Sequence, residues 1–217
     1  MGRPSLGQAT RVLVARDPDV AALVARHGPI RLPPPAASPF EALVESIQYQ
    51  QLAGAAAAAI HARLVALFPD GMTPEAMAAL PEASLRAAGL SGAKAASVRD
   101  LAAKVLDGTV PLDRIGRLSD EEIVRRLSVV RGIGPWTAEM FLIFQLRRPD
   151  VWPILDYGVQ KGYAMAFGLD HVPKPSELLP LGERFRPYRT VAAWYCWRTV
   201  APTLPGSRRA KARATTG

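Results

Sequence analysis

The sequence predicts an all-α protein, on three observations. Alanine and leucine dominate a chain of 217 residues in which 49% are apolar, and both residues favour helix. No run of β-branched residues alternates with polar ones as a half-buried strand would. Segment after segment opens on a helix start signal, an Ser, Thr or Asp followed by proline, by a capping glutamate, or by both.

In order, residues 1–16 form a leader or a first helix. Asp17-Pro18 reads as an N-cap with proline at the first helical position, and Gly28-Pro29 ends the helix it opens. Residues 30–37, with Pro33-Pro34-Pro35, make a stiff extended connector. Ser38-Pro39-Phe40-Glu41 is a capping box before a helix over 40–53 that buries Leu43, Val44 and Ile47. A helix over 55–68 follows, stopped by Pro69-Asp70-Gly71. Short helices start at Thr73-Pro74 and at Glu82, and Gly89-Leu90-Ser91-Gly92 leads into a helix over 93–106. Ser119-Asp120-Glu121-Glu122 is a further capping box, with Ile123, Leu127 and Val130 at helical spacing behind it.

Gly132-Ile133-Gly134 must break that helix, and Pro135 suits the first turn of the next, which runs through Ala138, Phe141, Leu142 and Gln145. The result is a helix, a four-residue hairpin and a second helix. Asp156 precedes a helix over 157–167 that Gly168 ends, and a proline-marked loop with a short helix leads to Arg186-Pro187-Tyr188-Arg189-Thr190. The last helix carries Trp194, Tyr195 and Trp197, and residues 205–217 read as a basic disordered tail. The expected domains are a leader and helix over 1–37 packing on the second lobe, a first helical lobe over 38–115, and a hairpin lobe over 116–204.

A formal charge of +8 makes a polyanion the expected partner. Nucleic acid is favoured over a membrane surface, because no basic amphipathic helix with an aromatic face is evident. No apolar span reaches 18 residues and the N-terminus lacks a signal-peptide pattern, so a cytoplasmic protein is expected, nucleoid-associated if prokaryotic. Cys196 is the one cysteine, which excludes an internal disulfide, a four-cysteine iron–sulfur cluster and a zinc finger.

The unpaired N–H groups of the hairpin and of the following first turn form an anion site suited to a DNA phosphate. Gln48, Gln50 and Gln51 end the 40–53 helix in an apolar neighbourhood, either as a reader of phosphate or base or as an exposed face.

Val130-Arg131-Gly132-Ile133-Gly134-Pro135-Trp136-Thr137-Ala138 resembles the helix-hairpin-helix signature of base-excision DNA glycosylases, with Val130-Arg131 where that signature prefers Leu-Pro. In that superfamily an Asp lies about twenty residues beyond the hairpin, after a proline turn; Val151-Trp152-Pro153-Ile154-Leu155-Asp156 supplies it. The likeness spans residues 38–197 and extends to the Gln50-Gln51-Leu52 stretch, the Gly89 to Ala95 loop, and the aromatic closing helix. It implies a two-lobed fold with the active-site cleft between lobes and no N-terminal β domain.

The resemblance implies a base-excision enzyme that flips a damaged base out of double-stranded DNA and acts as a monomer. Asp156 becomes the catalytic residue, stabilising an oxocarbenium-like sugar, though it also reads as a plain N-cap. Relatives that also cut the strand carry a Lys nucleophile two residues past the second hairpin glycine. Trp136 stands there, so no Schiff base forms and a monofunctional enzyme is expected.

A Trp at this place is similar to the alkylation-repair branch, where it faces electron-poor, 3-methyladenine-like purines. Trp136, Tyr49, Gln48 and Trp152 are the expected base pocket; Trp136 as a core aromatic is the other reading. Gly132, Ile133, Gly134, Thr137, Gln51 and Lys94 are expected on the DNA backbone, Lys94 alternatively as a solvated lysine. The wedge position aligns with Gly92, which has no side chain, leaving Leu90 as substitute. The resemblance also implies a sodium or potassium ion on the carbonyls of Ser128, Val130 and Gly132, and no required cofactor. The competing readings are a non-catalytic hairpin module that binds DNA damage, and a glycosylase for another lesion.

Overall fold

The structure, a computed structural model, describes residues 4–50 and 55–201. Among the described residues twelve α-helices follow one another, with no strand. They are α1 (Leu6–Arg16), α2 (Pro18–His27), α3 (Pro39–Tyr49), α4 (Ala55–Val65), α5 (Pro74–Ala79), α6 (Glu82–Ala87), α7 (Gly92–Leu106), α8 (Asp120–Leu127), α9 (Pro135–Phe144), α10 (Tyr157–Phe167), α11 (Pro175–Leu181) and α12 (Arg189–Val200).

The start signals act as the chemistry of helix ends requires. The side chains of Asp17, Ser38, Thr73, Ser91 and Ser119 each accept from an amide two or three residues on. Two expectations change. α3 stops at Tyr49 instead of 53, because Gln50 leaves helical geometry at φ −55° and ψ 129°. Glu122 does not reach back to its N-cap: its carboxylate takes Arg125 and Arg126 instead, with Nε donors at 2.8 and 2.6 Å. Those guanidiniums hold its pKa down to about 2. The first helix had a legible signal, a capping box in which Ser5 and Gln8 exchange side-chain and backbone hydrogen bonds.

The contacts divide the chain into two units, Met1–Pro34 with Leu142–Gly217, and Pro35–Phe141. The division differs from the expected boundary after residue 115: the hairpin groups with the helices of 38–115, because α7 bonds directly to it. Within Pro35–Phe141 the core is aliphatic: Leu43, Ile47, Leu64, Met77, Leu85, Leu101, Ile123 and Leu127 are fully buried. Each such side chain contributes roughly 1.5–3 kcal/mol relative to exposure.

In the other unit α10 lies hard against α12. A Cβ on Gly162 would stand 2.1 Å from the Cys196 carbonyl oxygen, so only glycine permits that approach. The first residues are lashed to the same unit. Arg184 donates twice to Asp17, at 2.9 Å each; Trp194 Nε1 donates to the Arg31 carbonyl, and the Tyr195 hydroxyl to that of Gly28.

Candidate functional site

The hairpin between α8 and α9 is made by local bonds and one glycine. Val130 N–H donates to Leu127 and Ile133 N–H to Val130, tightening the end of α8. Gly132 then turns at φ +79°, a conformation L side chains rarely adopt. A Cβ there would also sit 2.9 Å from Ser97 Oγ on α7. Asp100, one turn further along α7, accepts the Arg131 amide at 2.7 Å. Partial burial raises the Asp100 pKa, but the Arg131 amide and Lys104 outweigh it and hold the carboxyl below its ordinary value.

Val130, Ile133 and Thr137 are buried, so Ile133 and Thr137 present their main chain, and not their side chains, at the surface of the hairpin. Around Gly134 nothing lies within 4 Å of a built Cβ, which leaves its backbone open to close approach. The opening turn of α9 carries amides that no helix satisfies internally, pointing out of its end. Trp136 in that turn is 41% exposed, on the surface and not in the core.

The end of α3 rearranges the expected pocket. Gln48 is fully buried: Nε2 donates to the Ala57 carbonyl at 3.0 Å and Oε1 meets His61 Nδ1 at 2.8 Å. Both ends of its amide are engaged, so Gln48 is corrected from a base reader to a tie between α3 and α4. Tyr49 stays partly exposed, its ring edge-on to His61 at 5.9 Å. Lys94 donates to the carbonyls of Gln48 and Gln50 at 2.7 Å each. Burial lowers its pKa. Lys94 is therefore corrected from a phosphate contact to a clamp on the α3 terminus. Gln51 lies outside the described residues.

Of the two wedge candidates, Leu90 is the one whose burial speaks against the role. Leu90 is 2% exposed and belongs to the core, and Gly92 is the first residue of α7, where it brings no side chain. Trp152 is corrected as well: buried, with Nε1 given to the Leu178 carbonyl at 2.9 Å, it packs against Tyr163 and Phe185.

Asp156 is the N-cap of α10. Its Oδ1 accepts the Val159 amide and the indole N–H of Trp197, both at 2.9 Å. The carboxylate is largely buried, but its chain neighbours Leu155 and Tyr157 are 54% and 65% exposed. The residue thus sits where the chain surfaces, with one oxygen fixed by two donors. Gly158 leaves the room: a Cβ there would stand 3.0 Å from both Asp156 Oδ1 and Trp197 Cδ1. Trp197 is itself held by stacking on Phe144, at 5.7 Å and 23°. Sequence reasoning placed Trp197 on the closing helix and gave it no part beside Asp156. The donor bond to Asp156 spans 41 residues, and no local spacing announces it.

A positive-φ glycine hairpin between helices, an exposed indole in the next turn, and an aspartate capping a later helix beside two exposed side chains define a helix-hairpin-helix protein with a poised carboxylate. The chain belongs to the HhH-GPD superfamily of base excision DNA repair proteins, which matches it over residues 44–187. It is 38% identical over 164 residues to DNA-3-methyladenine glycosylase 1 of Schizosaccharomyces pombe, covering 74% of this chain and 72% of that one.

Among solved structures it is similar to the DNA-3-methyladenine glycosidase of Bacillus halodurans, with a TM-score of 0.82, 31% identity and 89% of each chain covered. The S. pombe 3-methyladenine DNA glycosylase in complex with abasic DNA gives a TM-score of 0.74 at 34% identity, over 88% of this chain and 95% of that one. The all-helical fold expected from composition and capping is therefore the fold of this family.

Proposed function

We propose that this protein is a monofunctional DNA glycosylase that extrudes alkylated purines of the 3-methyladenine kind from double-stranded DNA and hydrolyses their N-glycosidic bond. The observation that carries the reading is the fixed carboxylate of Asp156 beside exposed Leu155 and Tyr157. Relatives named for 3-methyladenine, one of them solved on abasic DNA, support the substrate class.

Each part has a chemical task. The hairpin amides at Gly134 and in the first turn of α9 take a backbone phosphate, without regard to sequence. The exposed indole of Trp136 stacks on an electron-poor, often cationic base, and Tyr49 is a second surface of that kind. As the C1′–N bond breaks, its electron pair leaves with the base and positive charge grows on the sugar. The Asp156 carboxylate stabilises that charge and accepts the proton of the attacking water. An alkylated cationic purine is already a good leaving group, so no strong acid is needed. Trp136 offers no amine for a Schiff base, so the abasic product is left uncut.

The carbonyls of Val130 and Gly132 each accept one hydrogen bond, from Ile133 N–H and Gln50 Nε2. A carbonyl oxygen has two lone pairs, so these two carbonyls, with that of Ser128, are the groups that would hold a sodium or potassium ion and add positive charge beside a phosphate. The reading places the protein on DNA, in the cytoplasm or nucleoid, as a monomer.

The test is an excision assay on duplexes carrying 3-methyladenine, 7-methylguanine or ethenoadenine, with and without alkaline cleavage. Base release that yields a strand break only after alkali is expected. Strand breaks without alkali would overturn the monofunctional assignment, and no release from any alkylated duplex would overturn the substrate class.

A further inference from the structure

Lys94, Ser97, Asp100 and Lys104 recur along α7 at spacings of three and four, on one face. Three of them reach the parts of this unit that build the hairpin. Lys94 Nζ holds the carbonyls of Gln48 and Gln50, at 2.7 Å each. Gln50 in turn donates its Nε2 to the Gly132 carbonyl, also at 2.7 Å. Ser97 lies under Gly132 and Asp100 takes the Arg131 amide. One chain of donors therefore runs from α7, through the end of α3, to the corner of the hairpin.

A helix end needs donors for its last carbonyls, and a lysine nearby is an ordinary way to supply them. Here more is done than that requires. The lysine comes from another helix, 44 and 46 residues away, and is partly desolvated to reach its acceptors. The bond it supports ends on the Gly132 carbonyl, 82 residues from Gln50. That carbonyl belongs to the one peptide of the hairpin that follows a positive φ, and its plane sets the direction in which the chain enters Ile133 and Gly134.

We propose that Lys94 and Gln50 form a latch that positions the hairpin for DNA. Lys94 fixes the backbone of Gln50, and Gln50 holds the Gly132 peptide so that the amides at Gly134 and the start of α9 stay aimed at a phosphate. Both are positioning residues, and Lys94 acts only through Gln50. The latch rests on the glycosylase reading for the identity of the anion, but it governs affinity for DNA and not the breaking of the glycosidic bond.

The test is a double-mutant cycle on the full chain, with Gln50→Ala, Lys94→Met and the double variant, read as affinity for an undamaged duplex and for one carrying a tetrahydrofuran abasic analogue. Each single variant is expected to weaken binding about tenfold, on the order of 1.4 kcal/mol. The double variant is expected to lose no more than either alone, and Lys94→Arg to restore binding. A double variant weakened about a hundredfold would show two independent contacts and overturn the latch.

Hydrogen exchange decides separately should Lys94→Met not fold. In Gln50→Ala the amides of Ile133 and Ala138, which donate to the Val130 and Gly134 carbonyls, are expected to exchange faster; exchange and DNA affinity both at the parent level would overturn the proposal. Because binding is read on uncleavable DNA, a parent protein that binds duplex but releases no base would defeat the glycosylase reading and leave the latch measurable.

Discussion

The indole N–H of Trp197 donates to Oδ1 of Asp156 at 2.9 Å, and the Val159 amide reaches the same oxygen at the same distance. Two donors on one oxygen fix the plane of the carboxylate, and both are protein groups that need no substrate to be in place. A carboxylate that must face developing positive charge benefits from such preorganisation. Trp197→Phe keeps the ring stacked on Phe144 and removes the donor. The expected cost is about 2 kcal/mol of stability, typical of a buried hydrogen bond to a charged group. Single-turnover base release is expected to fall about tenfold, with DNA affinity unchanged. Equal release rates in the two proteins would show that this bond does not orient Asp156 for the reaction.

Gly158 probes the same corner from the other side. Its built Cβ stands 3.0 Å from Asp156 Oδ1 and from Trp197 Cδ1, and both groups are hemmed in. Gly158→Ala is expected to fold, since an alanine favours helix at this first-turn position, but to push the carboxylate and the indole apart. Loss of base release with retained duplex binding is the predicted outcome; parent-level excision would mean the neighbours give way freely.

The two hairpin glycines are expected to separate stability from binding. Gly132→Ala places a side chain at φ +79° and against Ser97 Oγ, so a loss of roughly 1–2 kcal/mol in thermal or denaturant unfolding is expected from the backbone alone. Gly134→Ala meets nothing within 4 Å and should leave the melting temperature within about a degree or two. On the proposed contact of the hairpin with a phosphate, duplex affinity is nonetheless expected to fall about tenfold. A Gly134→Ala protein that binds DNA normally would remove the hairpin's open face from the account.

These glycines show what the sequence made legible and what it did not. The hairpin and the aspartate were readable because local chemistry forces them: a positive-φ turn wants glycine, and a helix start wants a capping oxygen. Gln48, Lys94 and Trp152 were misplaced for one physical reason. Each is a polar or amphipathic side chain whose donor finds a carbonyl far along the chain, on Ala57, on Gln48 and Gln50, or on Leu178. A buried donor is tolerable once paired, and nothing in local spacing tells a paired donor from one waiting for a ligand. Leu90 failed differently: a leucine in a glycine loop reads as exposed, yet the turn after α6 tucks it into the core. The Ser5 and Gln8 box that opens α1 was in the letters as well, but the reading of residues 1–16 as a leader or a first helix did not use it.

Tyr195 carries a prediction in pH. Burial pushes its phenol up to about 12, and the hydroxyl donates to the Gly28 carbonyl at 3.0 Å. The folded pKa lies above the ordinary value of 10.0, so the stability it represents is complete below about pH 10 and is lost as pH rises through about 12. In an ultraviolet titration of the chain's five tyrosines, one is expected to ionise near pH 12 and to vanish in Tyr195→Phe. Tyr195→Phe should also weaken the hold on Gly28, with a stability loss of about 1 kcal/mol.

The central claim is that the capping carboxylate of Asp156 breaks the glycosidic bond, and one substitution tests it most directly. Asp156→Asn keeps an oxygen able to accept from Val159 and Trp197, and removes the negative charge. Measured on a duplex carrying an alkylated purine, this variant is predicted to bind DNA within about threefold of the parent and to lose base release by at least about a hundredfold. Base release at the parent rate in a folded Asp156→Asn protein would contradict the account.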